Sequence, residues 1–272
     1  MLERAASEDQ VARLRLIRSD NIGPVTYFQL LARFGSASAA LDAIPDLAAR
    51  GGGRVPKLAS RAAVEREMEE VARLGARYLF LGQGLYPPLL AEIETAPPAL
   101  IVRGHLSLLD KPVIALVGAR NASAAACRFA RMLAQELGAA GATIVSGLAR
   151  GIDTAAHDGA LESGTIAVIA GGIDIFYPPE NEDRQRAIAE RGLLIAEQPP
   201  GVEPRARHFP YRNRIIAGLA QGTVVVEAAP RSGSLITPAT RPSSAATSWP
   251  SPARRSIRAR RAATSSSARA RP

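Results

Sequence analysis

Residues 112–123, Pro112-Val113-Ile114-Ala115-Leu116-Val117-Gly118-Ala119-Arg120-Asn121-Ala122-Ser123, decide the fold. The run Val113–Val117 is apolar at every position rather than at alternate ones, the pattern of a strand buried on both faces of a parallel sheet. Gly118 ends it, and Ser123 has the hydroxyl that caps a helix, expected at 124–138. The unit then repeats. Ala142-Thr143-Ile144-Val145-Ser146 precedes a helix expected at 153–162, and Thr165-Ile166-Ala167-Val168-Ile169-Ala170 runs into Gly171-Gly172. Leu193-Leu194-Ile195-Ala196-Glu197, a helix expected at 213–220, and Thr223-Val224-Val225-Val226-Glu227 follow. Strand and helix alternating in this way predict an α/β domain, a Rossmann-like doubly wound parallel sheet.

Ligands of such sheets sit at the carboxyl ends of the strands, where helix N-termini offer free N–H groups and partial positive charge. Three strand ends carry residues suited to an anion. Gly118 permits close backbone approach, Arg120 offers a forked permanent charge, and Ser123 caps the next helix. Ser146-Gly147-Leu148-Ala149-Arg150-Gly151-Ile152-Asp153 supplies small residues and, in Asp153, a further cap; Arg231-Ser232-Gly233-Ser234 does the same after the strand ending at Glu227. Each loop alone reads equally as tight-turn chemistry, but three in one sheet favour a phosphate site. Gly118–Ser123 lacks the second and third glycines of G-x-G-x-x-G, and the strand after it ends in Ser146-Gly147 rather than an acid. No G-x-x-x-x-G-K-[ST] stretch is present either. A dinucleotide cofactor and P-loop hydrolysis are both disfavoured, and no cofactor is expected.

Upstream, apolar residues recur at helical spacing: Val11, Leu14, Leu16 and Ile17, then Tyr27, Leu30, Leu31 and Phe34, then Leu41, Ile44 and Leu47. A small helical domain of SAM or helix-hairpin-helix type is expected over residues 1–78. Its Asn21-Ile22-Gly23-Pro24-Val25 break reads either as a hairpin that points N–H groups at a DNA phosphate or as a plain helix turn. Residues 79–110, with Tyr86-Pro87-Pro88, Pro97-Pro98 and the strand-like Ala99-Leu100-Ile101-Val102, form a connector leading into the sheet, and residues 111–238 form the Rossmann-like domain. Residues 239–272 hold eight arginines and no acid, so they account for all but one of the net charge of +9. Their Arg/Ala/Ser-rich composition without apolar periodicity predicts disorder. It is also what GC-rich coding DNA yields out of frame, so a frameshift product and a basic nucleic-acid-binding arm both stand as readings of this tail. One cysteine, Cys127, excludes an internal disulfide, and three histidines leave no zinc constellation. The N-terminus has no signal-peptide core, and no stretch approaches the ~20 apolar residues of a membrane span. A cytoplasmic protein without membrane association is expected.

Five motifs in order resemble the DprA/Smf DNA-processing family. They are Val117-Gly118-Ala119-Arg120 with Ser123; Ser146–Asp153; Gly171-Gly172-Ile173-Asp174 with Tyr177-Pro178 and Asn181; Phe209-Pro210-Tyr211-Arg212-Asn213-Arg214-Ile215-Ile216-Ala217-Gly218-Leu219; and Val226-Glu227-Ala228 with Ser232-Gly233-Ser234-Leu235-Ile236-Thr237. The resemblance implies a non-enzymatic protein that binds and protects single-stranded DNA and helps load the recombinase RecA during natural transformation. It maps the DNA groove onto Gly118, Arg120, Ser123, Ser146, Gly147, Gly151, Asp153, Arg212, Asn213, Arg214, Ser232, Gly233 and Ser234. Arg120 is the expected phosphate clamp; Arg212 and Arg214 read equally as internal ion-pair partners, and Asn213 as a helix cap or a base contact. Phe176, Tyr177 and Phe209 are the aromatic residues available either to stack on bases or to fill the core. His157, between Asp153 and Asp158, reads as a satisfied core or helix-surface histidine rather than a ligand. After Thr237 the family continues with a helix, a strand and a further helix, sometimes followed by a winged-helix domain. Pro238–Pro272 shows none of these, so the sheet is expected to be truncated there, and a homodimer and RecA contact, which the resemblance places in that late region, stay open.

The rival from another class is a Rossmann-like phosphoribohydrolase acting on nucleoside monophosphates, which uses a P-G-G-x-G-T-x-x-E pattern with a catalytic glutamate. Arg231–Thr237 stands in that place without a glutamate. A scaffold whose glycine-rich loops are only structural is the third reading.

Overall fold

The structure, a computed structural model, describes residues 7–50 and 56–227 in full and the backbone of 247–249. Four helices come first: α1 (Glu8–Arg18), α2 (Pro24–Phe34), α3 (Ala37–Arg50) and α4 (Arg61–Arg73). Ser7 and Gln10 cap α1 reciprocally, each side chain bonded to the other's backbone N–H. Leu16, Tyr27, Ala40, Leu41 and Ile44 form the core between α1, α2 and α3. The opposite face of α1 presents Val11 and Leu14 to Val64, Phe80 and Ala99, which ties the helices to the sheet.

The strands are β1 (Arg77–Phe80), β2 (Ala99–Gly104), β3 (Val113–Gly118), β4 (Thr143–Ser146), β5 (Thr165–Ile169), β6 (Leu193–Ala196), β7 (Gly222–Val226) and β8 (Thr247–Trp249). They form one sheet in the order β1-β2-β6-β5-β4-β3-β7-β8. From β6 to β8 every pairing is parallel, whereas β1 pairs with β2 and β2 with β6 antiparallel. The strand-like Ala99–Val102 of the connector is thus β2, and β1 straddles the boundary between the helical domain and the connector. A reading built on strand–helix alternation is blind to such antiparallel pairing, because β1 and β2 are linked by only the short α5 (Pro88–Ala91) and need no crossover.

The remaining helices are α6 (Ala124–Ala139), α7 (Ile152–Ala160), α8 (Glu182–Arg191) and α9 (His208–Leu219). Leu116 and Ile144 face α6 and α7, while Val113, Ala115 and Val117 face Ile215, Ile216 and Leu219 of α9, the alternation expected of a sheet covered on both sides. The α6–α7 contact is rich in small residues, with Ala126, Ala130 and Ala134 on one side and Ala155, Ala156, Gly159 and Ala160 on the other.

Two boundaries differ from expectation. Helix α9 begins five residues before 213, because Pro210 lies in its first turn, where a missing N–H costs nothing. Asn213 is therefore inside the helix and is not its cap. Within the segment expected to be disordered, Thr247–Trp249 pairs with β7 in parallel; three residues are too few to show periodicity, and the pairing is supplied by the edge of β7. The rest of 239–272 lies outside the described residues, as do Ser232, Gly233 and Ser234.

A partly buried polar triad fastens α1 and α4 to β1. Arg18 Nε donates to Glu67 at 2.9 Å, and the Tyr78 hydroxyl donates to the same carboxylate at 2.5 Å. Arg18 and Glu67 are both partly buried, with side-chain exposures of 18% and 15%. Removing one partner of such a pair leaves the other charge short of its hydrogen bonds, so Glu67→Ala should lower unfolding stability by about 1–3 kcal/mol. Replacing both, as Arg18→Met with Glu67→Leu, should recover most of that loss in urea denaturation. A double variant as unstable as the single one would refute this account.

Candidate nucleic-acid interface

The turn after β4 is built around the Gly147 peptide. Ser146, fully buried, donates its hydroxyl to the Leu116 carbonyl at 2.7 Å and so fixes β4 against β3. The Gly147 N–H donates to Asp153 Oδ2 at 3.1 Å, while its carbonyl accepts from Arg212 Nη1. A side chain at 147 would occupy the space of that guanidinium. Leu148 follows with φ +53°, a left-handed conformation that costs a non-glycine residue about 1–2 kcal/mol. Three restraints hold it there: its side chain is buried, its N–H donates to His157 Nε2 at 3.3 Å, and its carbonyl accepts from Asn181 Nδ2 at 3.0 Å. The Ala149 N–H also reaches Asp153 at 3.3 Å, and Gly151, at φ +74°, turns the chain into α7.

These bonds correct two expectations. Asp153 is the second residue of α7, not its cap, and its carboxylate folds back onto the preceding loop. The N–H groups of Gly147, Leu148 and Ala149, offered by the sequence to a phosphate, are committed inside the protein. What this loop turns outward at its tip is the side chain of Arg150.

His157 is a satisfied core histidine. Thr165 donates its hydroxyl to the Ile144 carbonyl at 3.1 Å, so in the 2.7 Å contact between Thr165 Oγ1 and His157 Nδ1 the ring nitrogen carries the proton. Nε2 is then the acceptor that Leu148 requires. Burial pushes the imidazole pKa down to about 3. Asp158 turns away to Arg184 and Arg131 and forms no cluster with it.

The arginines and aromatics converge on a cavity of about 180 Å³ at the carboxyl ends of β3, β4 and β5. Its lining comes from Arg120 after β3, the loop from Gly147 to Arg150, Ala170 after β5, Tyr177-Pro178-Pro179, and Phe209 and Arg212 of α9. The Arg120 guanidinium lies 5.1 Å from the Phe209 ring centroid, and Tyr177, 47% exposed, lies 5.7 Å from the same ring. Among the described residues Arg120 has no carboxylate at ion-pair distance.

Arg212 is buried against the Gly147 carbonyl and, at 2.9 Å, the Val168 carbonyl. Burial draws its pKa down to about 10, with Arg120 adding to the effect and Asp153 opposing it. Its Nε has no hydrogen-bond partner among the described residues. Arg214, one turn's fraction away, points elsewhere and pairs with Glu197, so it does not line the cavity. Gly118 pairs with Val226 at the end of β3, and Asn213 is half-buried within α9.

Ser123 caps α6 as expected, accepting from the Ala126 N–H at 3.1 Å. Its own N–H donates to Glu227 at 2.7 Å. A carboxylate of the chain itself thus sits at the helix start where a dinucleotide fold would place its pyrophosphate. Of the three lining arginines, Arg150 is the one to which the sequence assigns no individual role. Its signal was a second arginine at a strand end, obscured by the glycines around it.

The neutral form of His157 makes the loop pH-sensitive. Its contribution to stability is complete above the ordinary imidazole pKa of 6.5 and is lost as pH falls from there toward 3. Asp153, whose carboxyl is raised by burial, acts in the opposite sense: its contribution is full below the ordinary carboxylate pKa and fades as pH rises through the raised value. His157→Gln isolates the first effect. Between pH 6.5 and 4, wild-type stability should carry a component falling by up to about 1.4 kcal/mol per pH unit that the variant lacks. Identical pH slopes in urea denaturation would show that His157 is not buried neutral.

Comparison with known proteins places this architecture. Residues 77–248, beginning where β1 begins, match the family described as DNA recombination-mediator protein A, and residues 7–69 match the DprA-like N-terminal HHH domain. The chain is 49% identical over 154 residues to the DNA processing protein DprA of Streptococcus pneumoniae, a stretch covering 56% of this chain and 54% of that protein. It is 39% identical over 185 residues to DprA of Bacillus subtilis, covering 67% and 60%. The chain spans about half the length of the curated relatives it matches. The X-ray structure of the Streptococcus pneumoniae protein superposes with a TM-score of 0.70 at 31% identity, covering 86% of this chain and 82% of that one. A structure of DNA processing protein A from Helicobacter pylori, described for its single-stranded DNA binding mode, superposes with a TM-score of 0.55 at 31% identity, covering 60% and 75%. With a mostly parallel α/β sheet, a helical domain docked at its edge and a family match over more than half its length, this chain belongs to the family of DNA recombination-mediator protein A, the DprA/Smf DNA-processing proteins.

Proposed function

We propose that this chain binds single-stranded DNA at the strand-end cavity and, as a recombination mediator, delivers it to RecA. The observation that carries the reading is the cavity itself: three arginines and two aromatic rings around about 180 Å³. That volume is below the roughly 300–1,000 Å³ of pockets that enclose a whole small molecule. It suits one base or one phosphate of a longer strand. An exposed ring beside a cation is the pairing by which single-strand binders hold bases and backbone together. The unpartnered Nε of Arg212 gives the cavity a buried donor in need of an acceptor. Duplex DNA, whose bases are stacked inward, cannot offer a base to Phe209 and Tyr177. The structure of the Helicobacter pylori relative, described for single-stranded DNA binding, supports the same reading. Hand-off to RecA is supported by the family's description as a recombination mediator. A non-enzymatic role fits a site whose buried acid and histidine, Asp153 and His157, are both committed to holding a loop. Gly118, Ser123, Ser146, Gly147, Gly151 and Asp153 then act by shaping the site, and Arg120 and Arg150 by contact.

Arg120→Ala should weaken binding to a single-stranded oligonucleotide by about 1–3 kcal/mol, the range of a charge-assisted hydrogen bond, and reduce the salt slope by about one contact. Arg120→Lys should recover only part, since an ammonium lacks the planar fork. The thermal midpoint should stay near that of the wild type. Undiminished binding with a large fall in that midpoint would make Arg120 structural and remove the clamp. Equal affinity of the wild type for duplex and single strand would count against the whole reading.

A further inference from the structure

Arg150 and Glu180 form an ion pair across the mouth of the cavity. Arg150 stands on the loop after β4, and Glu180 directly follows the lining residues Pro178 and Pro179 on the opposite rim. The three cavity arginines differ in what holds them. Arg120 lies on the Phe209 ring, and Arg212 is buried on two carbonyls. Only Arg150, of these three, is matched by an acid among the described residues, and the pair is open to solvent, with side-chain exposures of 62% and 47%. An exposed pair of this kind stabilises a fold little and exchanges readily. A phosphate presents its oxygens to a guanidinium fork much as a carboxylate does. The rim need not move for the exchange. Asn181, next in the chain, is anchored to the Leu148 carbonyl and to Thr154, so the Glu180 side chain can swing from a fixed backbone.

We propose that Glu180 is a specificity-determining residue, a built-in surrogate for phosphate that holds Arg150 across the cavity mouth until a nucleic-acid phosphate takes its place. The proposal rests on the single-stranded DNA reading above. A lone phosphate gains only the difference between two similar partners at Arg150. A strand already held at Arg120 brings its next phosphate to Arg150 at high local concentration. Glu180 thereby lowers affinity for every anion while penalising a tethered backbone least.

The test is a double-mutant cycle read by fluorescence anisotropy with labelled oligothymidylate, using wild type, Glu180→Gln, Arg150→Ala and the double variant. Glu162→Gln serves as the charge control, because Glu162 pairs with Arg191 between α7 and β5, at the other end of the sheet. Glu180→Gln should tighten binding by about two- to five-fold, the scale of an exposed ion pair, and Glu162→Gln by clearly less. The gain should vanish when Arg150 is alanine. Inorganic phosphate, used as a competitor, should displace the oligonucleotide more readily from Glu180→Gln than from wild type. A gain no larger than that of the control, or one that persists without Arg150, overturns the surrogate role. If wild type binds and Arg120→Ala weakens it while Glu180 and Arg150 are uncoupled, only the surrogate fails. Absence of single-strand binding by the wild type overturns the functional reading and this proposal with it.

Discussion

One peptide unit, Gly147, links a buried carboxylate to a buried guanidinium. Its N–H is taken by Asp153 and its carbonyl by Arg212, so a single plane of backbone separates two opposite charges that make no direct ion pair. Each charge would be costly to bury alone. Together, through the peptide dipole, they fix where α7 starts and where α9 crosses the strand ends. Leu148 can hold its left-handed conformation only because this frame, with His157 and Asn181, leaves it no alternative.

Committing the loop's amides inward changes what kind of interface the sheet presents. Nucleotide-binding Rossmann folds grip a pyrophosphate with glycine-loop N–H groups at a helix start. In this chain the corresponding N–H groups face Asp153 and His157, and the start of α6 carries the Glu227 carboxylate. The outward-facing chemistry therefore belongs to side chains, to Arg120, Arg150, Tyr177 and Phe209. Side chains on a rim can follow a flexible strand, whereas a ring of amides selects one rigid group.

The α/β core was legible in Val113–Val117 and its repeats because buried parallel strands leave unbroken apolar runs. Ser123 as a helix cap was legible from its hydroxyl and its position, whereas for His157 a core and a helix-surface place both stood, and its burial between Leu148 and Thr165 decides for the core. At the antiparallel edge β2 was legible as the strand-like Ala99–Val102 that ends the proline-rich connector, whereas β1, at the end of the helical domain, and the direction of both pairings were not. Arg212 and Arg214 could not be told apart from sequence: both sit in one helix start two residues apart, yet Arg212 lines the cavity and Arg214 meets Glu197. Long-range acids decide such cases. Glu180 and Glu227 are each far in sequence from the groups they hold, Arg150 and Ser123, so no local pattern announces them.

The alanine seam between α6 and α7 has a bearing on the cavity that its distance conceals. Helix α7 carries Asp153 and His157 on the side toward the loop, and Ala155, Ala156 and Ala160 are buried in the seam. With alanines on both sides, and Gly159 of α7 lying directly against the Arg131 carbonyl and Ala134 of α6, the packing has no slack to absorb a larger residue. The seam is in effect a spacer of fixed thickness. Any increase in it lifts α7, and with α7 the acceptors that set the height of Gly147 and Leu148 in the cavity wall. The dimensions of the cavity mouth are thus gauged by small residues packed between two helices, at a place that does not line the cavity.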